Sequence, residues 1–150
     1  EYERFWSELN NLIELNLKIE EAFYYASLIH LVFVKIHPFN DGNGRTARLL
    51  EKWFLSSKLG EKAWYIPSEL YYYNNLKTYY HNLARVGLVY EELKYERGIP
   101  FLLMLPNSLT IYDWRLTIDD WRLTILDWWL NDWRICKNKL RSERNKMIWK

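Results

Sequence analysis

Between His37 and Arg48 the chain sets an imidazole, a carboxylate (Asp41), two glycines (Gly42 and Gly44), an amide (Asn43) and two guanidinium groups (Arg45 and Arg48) in one short stretch. This is the composition of a polyphosphate cradle with a base beside it. An imidazole changes its proton state close to neutral pH and can take a proton from an attacking hydroxyl. Glycines let backbone N–H groups approach an anion, and a helix beginning near Asn43 or Gly44 aims its unpaired N–H groups and positive dipole end at the same place. Asn43 offers an amide donor and Arg45 a bidentate fork for phosphate oxygens, while Arg48 lies on the same helical face. Asp41 would be repelled by bare phosphate, so its presence calls for a cation in between. Mg2+ suits that place, because it is usually held by one or two carboxylates together with substrate phosphates.

Other readings of the same residues stand beside this one. Gly42 to Ala47 also fits the dinucleotide pattern G-x-G-x-x-A, with Leu31 to Val34 as a preceding strand. The polar stretch from His37 to Asp41 separates that strand from the glycines, and no alternation of strands and helices follows. Asn40-Asp41-Gly42-Asn43-Gly44 could equally be a turn chosen for its backbone preferences. A turn alone does not call for the flanking histidine and both arginines.

The segment resembles the signature of the Fic domain family, His-x-Phe-x-Asp/Glu-Gly-Asn-Gly-Arg-x-x-Arg, and meets every specified position. The resemblance, taken as that of the bacterial type cut short at its N-terminus, implies transfer of AMP from ATP to a Ser, Thr or Tyr hydroxyl of a target protein. His37 would be the general base and Asp41 the Mg2+ ligand. Gly42, Asn43 and Gly44 would surround the α- and β-phosphates, with Arg45 and Arg48 on the terminal phosphates. Phe39 would be an anchor turned into the core. In the Doc branch of the family a lysine stands at the position of Gly44 and the enzyme phosphorylates, so glycine favours nucleotidyl transfer. A Tyr-Tyr pair on a later helix of these domains walls the adenine site, and Tyr79-Tyr80 match it. The implied partners are ATP, a hydroxyl-bearing protein, and an antitoxin or inhibitory partner.

The elements that must hold these residues read as all-α, a helical bundle around a central buried helix. Phe5 or Trp6, Leu9, Leu12 and Ile13 recur at helical spacing. A second helix from about Ile19 to Ile36 is apolar nearly all round and belongs at the centre, with His30 as a core histidine holding a local hydrogen bond. Pro38 stops that helix before His37. The third helix turns Ala47, Leu50, Trp53 and Phe54 inward and ends at Gly60. Pro67-Ser68 starts a helix spanning Glu69 to Val86, whose tyrosines serve as core filler unless they line the adenine site. Pro100 to Pro106 is a short buried closing helix. The catalytic core is expected over residues 1–109, and residues 110–150 form an irregular extension.

That extension repeats Asp113-Trp114-Arg115-Leu116-Thr117-Ile118 as Asp120-Trp121-Arg122-Leu123-Thr124-Ile125, either a pair of strands or translated repeat DNA, and closes on a basic run. The formal charge of the whole chain is only +2, too slight for a nucleic-acid protein. Cys136 is the sole cysteine, which excludes an internal disulfide. No apolar run is long enough to span a bilayer, and a cytoplasmic location is expected. The opening at Glu1 points to a start inside a longer protein, so the β-hairpin flap that docks targets in Fic domains is not placed. Ser57 to Glu61 begins the family's inhibitory pattern Ser/Thr-x-x-x-Glu-Gly/Asn, but Lys62 breaks it. Two functions follow: an AMP transferase, or an inactive Fic-like module or decayed gene product that still binds nucleotide.

Overall fold

In the computed structural model the described residues are 1–88, 90 and 93–111, and those up to Ile111 make one compact unit. The Asp-Trp-Arg-Leu-Thr-Ile repeat, the basic run and Cys136 lie outside the described residues. Seven α-helices follow in order among the described residues: α1 (Tyr2–Glu14), α2 (Ile19–Ile36), α3 (Asn43–Leu59), α4 (Ser68–Asn74), α5 (Leu76–Val86), α6 (Ile99–Leu102) and α7 (Met104–Asn107). Short 3-10 turns at Glu61–Tyr65, Tyr95–Arg97 and Ser108–Thr110 join them.

The unbroken apolar stretch of α2 puts it where it can be covered from several sides. Helices α1, α3, α6 and α7 all pack on it, and Ala26 through Phe33 are buried without interruption. Phe5 of α1 meets Phe33 edge to face, with ring centroids 5.5 Å apart. Both rings are fully buried, each contributing about 1.5–3 kcal/mol of transfer free energy. The Ser27 hydroxyl donates to the Leu102 carbonyl at 3.2 Å, tying α2 to α6. Asn82 Nδ2 donates to the Pro100 carbonyl at 3.1 Å, which ties α5 to the same turn.

Three expectations are corrected. Trp53 is 41% exposed, because α3 turns Ala47, Glu51, Phe54 and Leu55 inward and Trp53 falls on the opposite face. The helix expected over Glu69 to Val86 is broken at Asn75, whose side-chain Nδ2 and backbone N–H both donate to the Tyr71 carbonyl, at 2.9 and 3.0 Å. Asparagine competes with its own helix in this way, and α4 and α5 are the result. The closing helix is two short ones, α6 and α7, parted at Leu103, with Phe101 and Leu105 fully buried.

Candidate nucleotide site

Helix α2 stops where proline requires it. Pro38 disfavours the right-handed α conformation for His37, which adopts φ 52°, ψ 53°, while its N–H still bonds the Phe33 carbonyl at 3.1 Å. A left-handed residue other than glycine costs about 1–2 kcal/mol, which the packed helix behind it must offset. His37 Nδ1 lies 3.3 Å from the Val34 carbonyl. A carbonyl can only accept, so this contact assigns the ring hydrogen to Nδ1 and leaves the Nε2 lone pair open. The ring is exposed, so Nε2 is reachable from outside.

The turn after it locks itself together. Asn43 Oδ1 accepts the Phe39 N–H at 2.9 Å, and Asn43 Nδ2 donates to the Phe39 carbonyl at 2.5 Å. Oδ1 and one Nδ2 hydrogen of the amide are therefore engaged in closing the loop, while the Asn43 backbone N–H stays open at the helix start. Phe39 is held by its backbone; its ring sits 5.9 Å from that of Phe33 and is 42% exposed, which corrects the expectation of a core anchor. Gly42 caps α3 at φ 86°, ψ 0°, a conformation that glycine reaches without strain. Thr46 N–H is the first to bond back, to the Gly42 carbonyl at 2.9 Å. The N–H groups of Asn43, Gly44 and Arg45 thus occupy the helix's first turn, where α3 itself supplies no acceptor.

A cleft of about 450 Å³ opens beside that turn, lined by His37, Asn43, Gly44, Arg48, Tyr79 and Tyr80. Glu69 and Tyr73 of α4 complete its far wall. Asp41, Gly42 and Arg45 are not among its lining residues, although they neighbour Asn43 and Gly44 in the chain. There Asp41 Oδ1 accepts the Gly42 N–H at 2.6 Å, and Arg45 Nη2 donates to Asp41 Oδ2 at 2.9 Å. A Cβ on Gly44 would meet Arg48 Nη1 at 3.4 Å, an ordinary contact distance. The two tyrosines differ. Both line the cleft, but Tyr80 is 61% exposed and Tyr79 only 4%.

Behind Tyr79 lies a set of buried polar groups that the sequence reading did not assemble. His30 Nδ1 stands 2.7 Å from Glu51 Oε2, and both side chains are fully buried. Tyr72 donates its hydroxyl to the same Glu51 oxygen at 2.7 Å. His30 Nε2 lies 3.0 Å from the Tyr79 hydroxyl. His30 is a core residue as expected, but its partners come from α3 and α5 and not from its own helix. Burial pushes the Tyr79 phenol up to about 12, with Arg48 pulling the other way and Glu51 adding to the rise. Burial, then the Glu51 charge, holds Tyr72 well above the ordinary phenol range. One signal was present in the sequence: Glu51 interrupts the inward stripe of α3, one turn after Arg48.

Among the described residues no cluster of three or more metal-binding side chains exists. Asp41 alone fits a Mg2+ ion shared with phosphates: its side chain is 91% exposed, and each oxygen keeps a lone pair beyond the bond it already accepts. No helix among the described residues is long and apolar enough to cross a membrane.

Comparison with known proteins falls on the same part of the chain. Residues 1–55, which hold α1, α2, the loop and most of α3, match the Fic/DOC family model. The "Protein adenylyltransferase Fic" of Aedes aegypti is 49% identical over 49 residues, 29% of this chain and 10% of that protein. Its namesake from Culex quinquefasciatus is 51% identical over 39 residues, covering 23% and 8%, and that from Nematostella vectensis 51% over 39 residues, covering 26% and 9%. The chain thus spans about a tenth of the length of the curated relatives it matches. None of the three source organisms is a bacterium, so the bacterial type expected from the motif gains no support. No solved structure matches the chain.

Proposed function

We propose that this chain transfers AMP from ATP to a Ser, Thr or Tyr hydroxyl of a target protein, releasing pyrophosphate. The observation that carries the reading is that His37, the open first turn of α3 and Arg48 share one cleft; residues 1–55 match the Fic/DOC family model, and the chain is similar to proteins named as adenylyltransferases. The target oxygen attacks the α-phosphorus, the bond from that phosphorus to the bridging oxygen breaks, and the hydroxyl proton passes to His37 Nε2. The N–H groups at Asn43 and Gly44 receive the α- and β-phosphate oxygens, with Gly42 setting the turn that aims them. Arg45, released from Asp41, and Arg48 take the terminal phosphates. Asp41 would hold Mg2+, which when bound neutralises charge on the departing pyrophosphate. Tyr80 offers its ring to the adenine, and Tyr79 stands beside it. Positioning and charge neutralisation supply most of the rate in such a displacement, which suits a site without a nucleophilic side chain.

The test is incubation of the full chain with Mg2+ and ATP labelled at either the α- or the γ-phosphate, in the presence of cell lysate. Label from the α-phosphate on protein is expected, with His37→Ala lowering the rate by about 10² to 10⁴ at unchanged fold. Transfer of γ-label would make the protein a kinase, and full activity of His37→Ala would remove the base from its role.

A further inference from the structure

Among the described residues lining the cleft, Glu69 alone carries a carboxylate, in a site whose other charged and polar groups suit an anion. Its place is set by a cation from the core. Lys52 Nζ stands 3.2 Å from Glu69 Oε2, and the lysine side chain is only 5% exposed. The same ammonium donates to the Trp64 carbonyl at 3.2 Å and to the Ile66 carbonyl, which holds it against the turn before α4. A buried ammonium needs a counter-charge, and Glu69 supplies it. The glutamate side chain is itself 51% exposed. A carboxylate has about four acceptor positions, so one ammonium contact leaves it able to accept from a ligand. Tyr73, one turn on along α4, lines the cleft beside it.

We infer that Glu69 is a specificity-determining residue of the cleft, which accepts hydrogen bonds from the ribose hydroxyls of the bound nucleotide and so selects a ribonucleotide over a deoxyribonucleotide. This rests on the nucleotide reading above and adds the sugar to it. A carboxylate repels phosphate, and one that already neutralises Lys52 is poorly placed to hold a metal ion as well. Accepting hydrogen bonds is what remains to it. The base finds stacking and apolar contact at Tyr80, Leu76 and Leu83. The adjacent 2′- and 3′-hydroxyls of ribose are donors that one carboxylate can receive, the use to which an acidic residue is put in dinucleotide-binding folds. Charge then orders the ligand within the cleft: phosphates go to the α3 turn and Arg48, and the sugar to the carboxylate that phosphates avoid.

The experiment is equilibrium binding of ATP, 2′-deoxyATP and 3′-deoxyATP, each with Mg2+, to the full chain and to Glu69→Ala and Glu69→Gln. Removing one donor to a charged acceptor is expected to weaken binding about 10-fold, so the unaltered protein should prefer ATP by that factor over at least one of the deoxynucleotides. Glu69→Ala is expected to abolish the preference, through lost affinity for ATP alone. Glu69→Gln keeps the shape and an acceptor for Lys52 but removes the charge; it should lower the preference to about 3-fold, and it serves should Glu69→Ala not fold. Equal affinity of the unaltered protein for all three nucleotides, a preference that survives in both variants, or an equal loss of all three on substitution would overturn the assignment while leaving the nucleotide site standing. An unaltered protein that binds none of them would instead overturn the site itself, and the role of Glu69 with it.

Discussion

Arg45 is set in solvent, its side chain 73% exposed and paired with Asp41 of its own turn at 2.9 Å; Arg48, one turn on, lines the cleft together with the buried Tyr79. The same residue type on the same helix is thus built in two ways. An exposed pair of this kind gains little, because water screens it and two long side chains must be ordered to make it. It can open at small cost and turn both partners, Asp41 toward a cation and Arg45 toward phosphate. The surroundings of Arg48 are different, since Tyr79 beside it in the cleft is buried and its hydroxyl lies 3.0 Å from the fully buried His30. One arginine stands among groups that move in water, and the other against a wall fixed in the core.

The sharpest way to break this comparison is to damage the buried side. His30→Ala removes a fully buried ring and one of the two groups at Glu51 Oε2, a loss expected to cost about 3–5 kcal/mol in chemical unfolding. A loss no greater than that of an ordinary surface substitution would mean that the His30–Glu51 contact does not stabilise the folded protein. A smaller effect is expected at the turn before α3. Gly42→Ala forces a side chain into φ 86°, at about 1–2 kcal/mol. It should weaken ATP binding more than it lowers stability, because the turn it strains sets the first N–H groups of α3, and parallel titration and denaturation would tell the two apart. The smallest effect per step is expected from alkali. The Tyr79 phenol stands at about 12 in the folded chain through burial, above its ordinary value of 10.0, so the neutral form is the folded one. Its contribution is complete below about pH 10 and is lost as pH rises through about 12, at no more than about 1.4 kcal/mol per pH unit for one proton. Denaturant midpoints measured from pH 9 upward should fall in the unaltered protein more steeply than in Tyr79→Phe.

Much of the frame was legible because it is written in local patterns. Pro38 ends α2, Gly60 caps α3, and the unbroken apolar run of α2 marks it for burial. The errors came where polar residues sit inside. A hydrophobic pattern turns Trp53 inward, but Glu51 and Lys52 take the buried face of α3 and rotate the tryptophan out to solvent. Lys52 can do so because Nζ finds the Trp64 carbonyl at 3.2 Å, the Ile66 carbonyl and Glu69 at 3.2 Å. No periodicity reports such partners. The break at Asn75 was missed for a related reason, as a side chain that bonds its own backbone outweighed the helical spacing of the tyrosines around it.

The sequence by itself determined which chemistry the loop could hold, since a histidine before proline, glycines at a helix start and two arginines one turn apart act through bonds and dihedrals a few residues long. Only the tertiary structure decided how those groups differ from one another. It turned the Asn43 amide onto Phe39, set Arg45 in water and brought Tyr79, His30 and Glu51 together in the core. Hydrogen bonds between side chains on separate helices have no period along the chain, so they exist only once α2, α3 and α5 have met.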